Sequence, residues 1–378
     1  MFANLDYSLL QGLWWLICSI VGSLFLFLTF VQGGQTLLFS VAKNDVEKSL
    51  VINSLGRKWE MTFTTLVLFG GALFASFPLF YATSFGGAYW VWMLILFCFI
   101  IQAVSYEYRK KPGNVLGAKT YEIFLFINGS VSLLLIGTAV ATFYSGSNFS
   151  LNEYNQVTWQ NPLRGVEAAF SLFNLSLGFF LVFLARVLGA MYLTNNIDHS
   201  ELNARTGKAA LTNFICALPF LLYFLVNLLF MDGFAVDPVT GTVFMEAHKY
   251  LHNLLAMPLL LTLLLAGLVL VIYGVFITSF KGSKKGIWFG GLGTVLVGLT
   301  VFLLPALNNT AFYPSKFDLQ SSLTIHNASS SPYTLMVMTY VALIIPGVLA
   351  YIAYVWRAMD SKKLTAAEIT GEEAEELY

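Results

Sequence analysis

Long uncharged apolar runs alternate along this chain with short segments that hold nearly all of its charge. A helix needs roughly 20 apolar residues to cross about 30 Å of hydrocarbon. Reading the uncharged runs on that length predicts nine spans, at about 9–40, 61–83, 88–104, 121–144, 166–194, 209–231, 251–280, 286–306 and 333–358. No charged residue occurs from Tyr7 to Ala42. As one helix that run would reach about 54 Å at 1.5 Å per residue, so it must tilt, overshoot or break. Gly33-Gly34 is the obvious place for a break.

The polar segments then set an orientation. Segments 43–60, 105–119, 195–208, 281–285 and the end from Arg357 hold 16 Lys and Arg, whereas the alternate segments hold only Arg164, Lys249 and Lys316. The positive-inside rule puts the N-terminus outside and the C-terminus in the cytoplasm. Opposite ends require an odd number of spans, which agrees with nine. Four spans, a polar loop at 145–165, four more spans and a last helix suggest two four-helix bundles plus one helix. The expectation is an all-α integral membrane protein, with residues 1–358 as one polytopic domain and 359–378 as an acidic cytoplasmic tail, whose end "ITGEEAEELY" reads as solvated.

Composition changes little in this picture. With 57% hydrophobic and 11% charged residues, the chain departs from soluble usage, where about a quarter of residues are charged. The formal net charge is zero, so nothing points to nucleic acid. Cys18, Cys98 and Cys216 have no paired spacing, which argues against a disulfide framework or a thiolate metal site. The N-terminus lacks a basic n-region and a small-residue cleavage motif, so it reads as a retained first span.

The chemistry available at membrane depth is sparse. Haem held within spans needs His, Met or Cys ligands there, but His199, His248, His252 and His326 all fall in loops or at span ends. His248 and His252 have i,i+4 spacing; a metal pair on a helix and a polar loop meeting a span are both readings of it. Gly286 and Gly290 have the small-xxx-small spacing of close helix packing. Glu60, Glu122, Glu167 and Arg186 lie within or near spans, where an ionisable residue is a functional candidate by default. The three acids stand at span starts, where a carboxylate also suits the helix dipole. Arg186 can snorkel to headgroups. Gln32 and Gln35 flank the glycine pair and suit hydrogen bonds between spans.

Several stretches then carry a resemblance. "KNDVEKSLVINSLGRKWE" at 43–60, "GGALFASFPLFYA" at 70–82, "YEYRKK" at 106–111 and "FYPSKFDLQSSLTIHNASSSPYTLMVMTYVALIIP" at 312–346 resemble subunit II of cytochrome bd-type quinol oxidases. The middle, about 145–305, is similar mainly in hydropathy. The resemblance implies a respiratory-chain complex of the bacterial cytoplasmic membrane that oxidises quinol and reduces oxygen to water. It places haem b and haem d, and the quinol site, in an integral partner, subunit I. This chain would be haem-free and non-catalytic, would bind no metal, and would support the partner and shape proton and oxygen access. A structural quinone or lipid in its own bundle and a small single-span accessory subunit are further implications.

The departures from the family pattern select the candidate residues. The acidic Asp-Gly-Phe-Asp-like motif expected late in helix one is replaced by "TFVQGGQTLLF", leaving Gln32 and Gln35 as the nearest polar groups. Gln102 stands where a basic residue is expected near the end of helix three, and Trp59-Glu60 stands for Trp-Asp. Glu60 is therefore the proton-route candidate, with Trp59, Gln32, Gln35, Gln102, Glu107 and Arg109 in support. Two rivals remain open at this point. A secondary transporter would show paired interrupted helices in corresponding halves, and a haem-less anchor of a quinone-linked dehydrogenase would carry a peripheral cofactor-bearing partner.

Overall fold

The structure, a computed structural model, describes residues 5–111 and 113–370. The first apolar run folds as α1 (Tyr7–Leu28), α2 (Phe30–Thr36) and α3 (Leu38–Val41). Its interruptions fall at Thr29 and Leu37, not at the glycine pair. The glycines serve contact instead. A Cβ on Gly33 would collide with the backbone at Ala185, and one on Gly34 would stand 2.7 Å from the Leu55 side chain.

Asn44 starts α4 (Asp45–Gly56) by accepting the Glu47 backbone N–H at 2.9 Å, which satisfies an otherwise orphaned donor. α5 (Trp59–Ser76) stops at Phe77, and Pro78, which cannot continue a hydrogen-bonded helix, opens α6 (Pro78–Tyr81). A π-helical turn at Ala82–Gly86 leads to α7 (Tyr89–Tyr108). α8 (Ala118–Ile127) and α9 (Leu133–Ser145) are joined by a second π-helical turn, Asn128–Ser132, within one 28-residue span. The polar loop that follows forms an antiparallel hairpin, β1 (Phe149–Leu151) with β2 (Val157–Trp159), in the register Phe149↔Trp159.

α10 (Leu172–Asn196) and α11 (Ser200–Phe230) come next, then the hairpin β3 (Gly233–Val236) and β4 (Val243–Glu246). The remaining helices are α12 (Lys249–Ala256), α13 (Pro258–Lys281), α14 (Gly286–Leu303), α15 (Pro332–Ala342), α16 (Ile345–Met359) and α17 (Ala366–Thr370).

Among the described residues, seven helices are long and apolar enough to cross a membrane, or eight if α15 and α16, bent by 41°, count as one span. Seven or eight of the nine expected spans meet this criterion of length and composition. The difference lies at 61–83, which the sequence presents as one uncharged run. There α5 has only 18 residues, with Glu60 in its first turn, and Phe77-Pro78 ends it. The chain is all-helical apart from its two hairpins, and multi-pass.

The two halves interlock. α1 packs on both α5 and α14, and α10 lies against α2, α9, α11 and α14. The expected glycine packing is present. A Cβ on Gly274 would stand 2.7 Å from the Gly286 carbonyl, and one on Gly267 would stand 2.7 Å from that of Gly293. With no hydrophobic drive between helices in lipid, such close approach is what holds α13 to α14. At the other end of α1 an aromatic cluster joins Trp15, Phe77, Phe80, Phe143 and Phe312, with the Trp15 and Phe312 rings 4.2 Å apart.

The start of the expected tail is bound to the bundle. Lys58 Nζ, fully buried, lies 3.0 Å from the Asp360 carboxylate and 4.9 Å from the centre of the Trp356 ring. Asn196 Nδ2 donates to the same Asp360 oxygen at 3.1 Å, and Ser54 Oγ donates to Asn196 Oδ1 at 2.7 Å. Leu364 N donates to Asn196 O at 3.0 Å, and Asp198 N donates to Leu364 O at 2.8 Å. The acidic stretch at 371–378 lies outside the described residues.

Candidate functional site

The polar side chains of α2, α5, α7 and α8 converge on one buried seam. On α7 the inward positions Cys98, Gln102, Tyr106 and Arg109 repeat at helical spacing, and all are buried. From Cys98 to Arg109 they span about 16 Å at 1.5 Å per residue. Gln35 Nε2 donates to Tyr106 Oη at 3.1 Å, and Gln32 Nε2 lies 3.5 Å from Gln102 Oε1. The Trp59 ring stacks on Tyr106 with centroids 5.7 Å apart and planes 9° from parallel. Asn128, in the π-helical turn that ends α8, donates from Nδ2 to Cys98 O at 3.0 Å. π-Helical turns often mark functional positions.

One end of the seam carries charge. Arg109 donates to Glu122 Oε1 from Nη2 at 2.8 Å and from Nε at 3.2 Å, and Lys48 Nζ reaches Glu122 Oε2 at 3.0 Å. Glu122 is 2% and Arg109 5% exposed. The expected helix cap at Glu122 is thus a buried ion pair, because α7 and α8 leave the connecting loop side by side and bring the two groups together. Glu167 keeps a local role. Its Oε2 accepts the Gly165 N–H at 2.7 Å beside a short 3-10 turn, Val166–Phe170.

Six buried polar atoms along the seam have no partner among the described residues: Gln32 Oε1, Gln35 Oε1, Trp59 Nε1, Gln102 Nε2, Asn128 Oδ1 and Arg109 Nη1. An unmet buried donor or acceptor costs about 1–3 kcal/mol. Bound water is the usual remedy where several such groups face one space. Along this seam six unmet polar atoms share the helix interior with the Lys48–Glu122–Arg109 cluster at one end.

The sequence candidates are only partly brought together. Trp59, Gln32, Gln35, Gln102 and Arg109 line the seam. Glu60, in the first turn of α5, and Glu107 are exposed on the outside of the helices. Asn128, Tyr106 and Lys48 were not singled out by sequence reasoning. An Asn in the middle of the fourth run was the available signal for the first.

The histidines do not form a ligand set. His248 caps α12 with φ 54° and its carbonyl accepts the His252 N–H at 3.0 Å, but its ring packs on Phe230 with centroids 5.9 Å apart, while His252 Nδ1 lies 2.9 Å from Glu246 Oε1. That bond, with Lys249, holds Glu246 below the usual carboxylate range. His199 Nδ1 accepts the Leu202 N–H at 3.2 Å, and His326 Nδ1 pairs with Gln11 Oε1 at 2.8 Å. No group of three or more His, Cys, Asp or Glu side chains among the described residues is placed to hold a metal. These engaged, loop-held imidazoles do not fit the axial pair that a haem within the spans requires.

Comparison with known proteins agrees across the whole length. The chain is 28% identical over 372 residues to the cytochrome bd-I ubiquinol oxidase subunit 2 of Escherichia coli (strain K12), covering 94% of this chain and 95% of that protein. It is 23% identical over 367 residues to the cytochrome bd ubiquinol oxidase subunit 2 of Bacillus subtilis (strain 168), covering 94% and 98%. Its fold is similar to a chain in the structure of bd oxidase from Geobacillus thermodenitrificans, with TM-score 0.60, 14% identity, and coverage of 92% and 98%. The family model described as cytochrome bd terminal oxidase subunit II matches residues 10–359, and the chain belongs to that family.

Proposed function

We propose that this chain is the haem-free, non-catalytic subunit II of a quinol:oxygen oxidoreductase in the bacterial cytoplasmic membrane. Its integral partner, subunit I, carries haem b and haem d, oxidises quinol and reduces oxygen to water. The proposal extends to nine spans, with α5 and α6 as the second, an outer N-terminus and a cytoplasmic C-terminus.

The observation that carries the reading is the seam. Its charged mouth, Lys48–Glu122–Arg109, belongs to the loops rich in Lys and Arg, so the positive-inside rule turns it to the cytoplasm. Its polar atoms continue to Gln32 and Asn128. This chain therefore supplies a hydrated half-passage toward the partner, with Trp59 on its wall and Glu60 at the outer surface of α5 as the group that hands protons across. No proton-holding acid stands deeper along it, because Gln32 and Gln35 replace the family's acid pair.

A second observation favours the integral partner. Residues 343–354 of the last span are exposed on every side of an apolar helix. An apolar cavity of about 280 Å³, lined by Tyr144, Phe180, Phe224, Leu264 and Val301, suits the structural lipid or quinone tail. A small single-span accessory subunit fits the same assembly.

The test is purification in mild detergent followed by a reduced-minus-oxidised spectrum. Haem should accompany the integral partner and be absent from this chain alone. Gln102→Leu and Asn128→Leu should slow oxygen consumption per haem without changing haem content. Unchanged turnover in both variants would remove the passage. A peripheral haem-less partner would remove the oxidase reading.

A further inference from the structure

Arg186 is the one Arg or Lys within the apolar spans rather than in the polar segments, and its charge is unanswered. No ion pair or hydrogen bond engages it among the described residues, and its Nε is buried without a partner. The titratable group that faces it is the thiol of Cys216 on α11. Arg186 is half-buried, and an unpaired guanidinium within a span costs a few kcal/mol or more, so an anion is expected beside it.

The hydrogen bond between Thr194 and Thr206 hydroxyls, 2.8 Å, fixes the antiparallel register of α10 and α11 near their polar ends. Eight residues separate Arg186 from Thr194, so the guanidinium leaves the backbone about 12 Å inside that point at 1.5 Å per residue. Side chains on a helix lean toward its N-terminus, which here is the far end of α10. Snorkelling to the polar face therefore works against the direction in which Arg186 is launched.

The anion must come to the arginine. Its route lies along α11, where Lys208, Thr212, Ile215 and Cys216 fall on one exposed stripe. Lys208 stands about 9 Å nearer the polar end than Arg186 at the same rise per residue. Thr212 stands between their levels, with a hydroxyl that takes no partner among the described residues. The walls are apolar: Ile215 is 57% exposed and Phe179 38%. They suit acyl chains and exclude a hydrated free ion.

We propose that Arg186, with Lys208 above it, binds the phosphate of an anionic phospholipid whose chains lie along the exposed face of α10 and α11, beside Phe179 and Ile215. The guanidinium makes the charge-assisted contact to phosphate oxygens, Lys208 adds positive field along the entry, and Thr212 donates from its hydroxyl. This site is separate from the seam and does not rest on the proposed proton route.

Native mass spectrometry of the complex purified from membranes tests it. The wild type should retain one phosphatidylglycerol-class lipid more per complex than Arg186→Gln. After delipidation, phosphatidylglycerol should raise the thermal transition of the wild type, while phosphatidylcholine and inorganic phosphate should not. Losing one charged hydrogen-bonding partner should weaken retention about tenfold. Lys208→Gln, a surface change that leaves the core intact, should weaken it less, and Arg186→Lys should restore part of it. Equal lipid retention in wild type and Arg186→Gln overturns the proposal. So does an equal response to phosphatidylcholine or free phosphate. Loss of a protein subunit without loss of lipid would identify the anion as a partner carboxylate and overturn it as well.

Discussion

Lys58 and Asp360 meet at 3.0 Å although 302 residues separate them in the chain. The pair ties the residue before α5 to the residue after α16, and Trp356 covers the ammonium. Both ends of a span that packs little along its middle are thus secured: Trp14 donates to Leu335 O and Thr339 Oγ1, each at 3.0 Å, at the other end.

That arrangement predicts the cost of cutting the tie. Asp360→Ala leaves the Lys58 charge buried without its counter-ion, and breaking a buried pair from one side costs about 3–5 kcal/mol. The thermal transition of the purified complex should fall accordingly. Replacing both partners, as Lys58→Met with Asp360→Leu, should recover much of the loss, since apolar packing of similar volume often matches a buried pair. A double variant as unstable as Asp360→Ala would show that the loss comes from the Asn196 and Leu364 contacts instead.

A pH dependence follows from Glu47, in the loop helix α4. Burial works against its charged form, but the Lys43 backbone N–H and the Arg205 guanidinium outweigh it and hold the carboxyl below the ordinary range. A carboxylate with a depressed folded pKa contributes stability that is fully present above its unfolded value of about 4.3. That contribution is lost as pH falls through the lower folded value. The stability difference between wild type and Glu47→Gln should therefore be constant from neutral pH to about 5 and shrink below it. A difference that instead grew on acidification would contradict the assigned sign.

The spans were legible because an uncharged run of the right length has few other uses, whereas α4, within the polar segment 43–60, was not. What the sequence hid has physical causes. Gly33-Gly34 reads locally as a helix breaker, but its value lies in the contact with Ala185 and Gly189, which no local pattern reveals. Glu122 and Arg109 were both visible as charged residues near span ends. Their pairing required knowing that α7 and α8 leave their loop side by side. Trp59 and Glu60 were read as one unit, yet successive helix positions point about 100° apart, so one is buried and the other exposed.

Orientation can be checked at two positions that the structure exposes well. Val115, 94% exposed, lies in the loop between α7 and α8, and Val239, 92% exposed, lies between β3 and β4. Single cysteines at these sites, in a background with Cys18, Cys98 and Cys216 replaced, should label from opposite sides with an impermeant reagent in intact cells. Val239→Cys should react from outside and Val115→Cys only after permeabilisation. Same-side labelling would overturn the proposed span count or orientation.

Glu60 offers the sharpest test of proton access. It lies in the first turn of α5, where a carboxylate suits the helix dipole, and it is exposed on the outside of the helices beside the seam wall formed by Trp59. If the carboxylate only favours the helix start, Glu60→Gln leaves turnover alone and lowers thermal stability slightly. If it carries protons from the hydrated passage to the partner, the amide keeps the shape but cannot accept and release them. Quinol-driven oxygen consumption per haem should then fall on the order of tenfold, with subunit and haem content unchanged. Glu60→Asp keeps a titratable group and should retain most of the activity. Combining Glu60→Gln with Gln102→Leu should slow turnover little beyond the slower single change, because both act on one route. Additive losses would place them on separate routes, and per-haem turnover untouched by Glu60→Gln across pH 6 to about 9 would remove Glu60 as a required carrier.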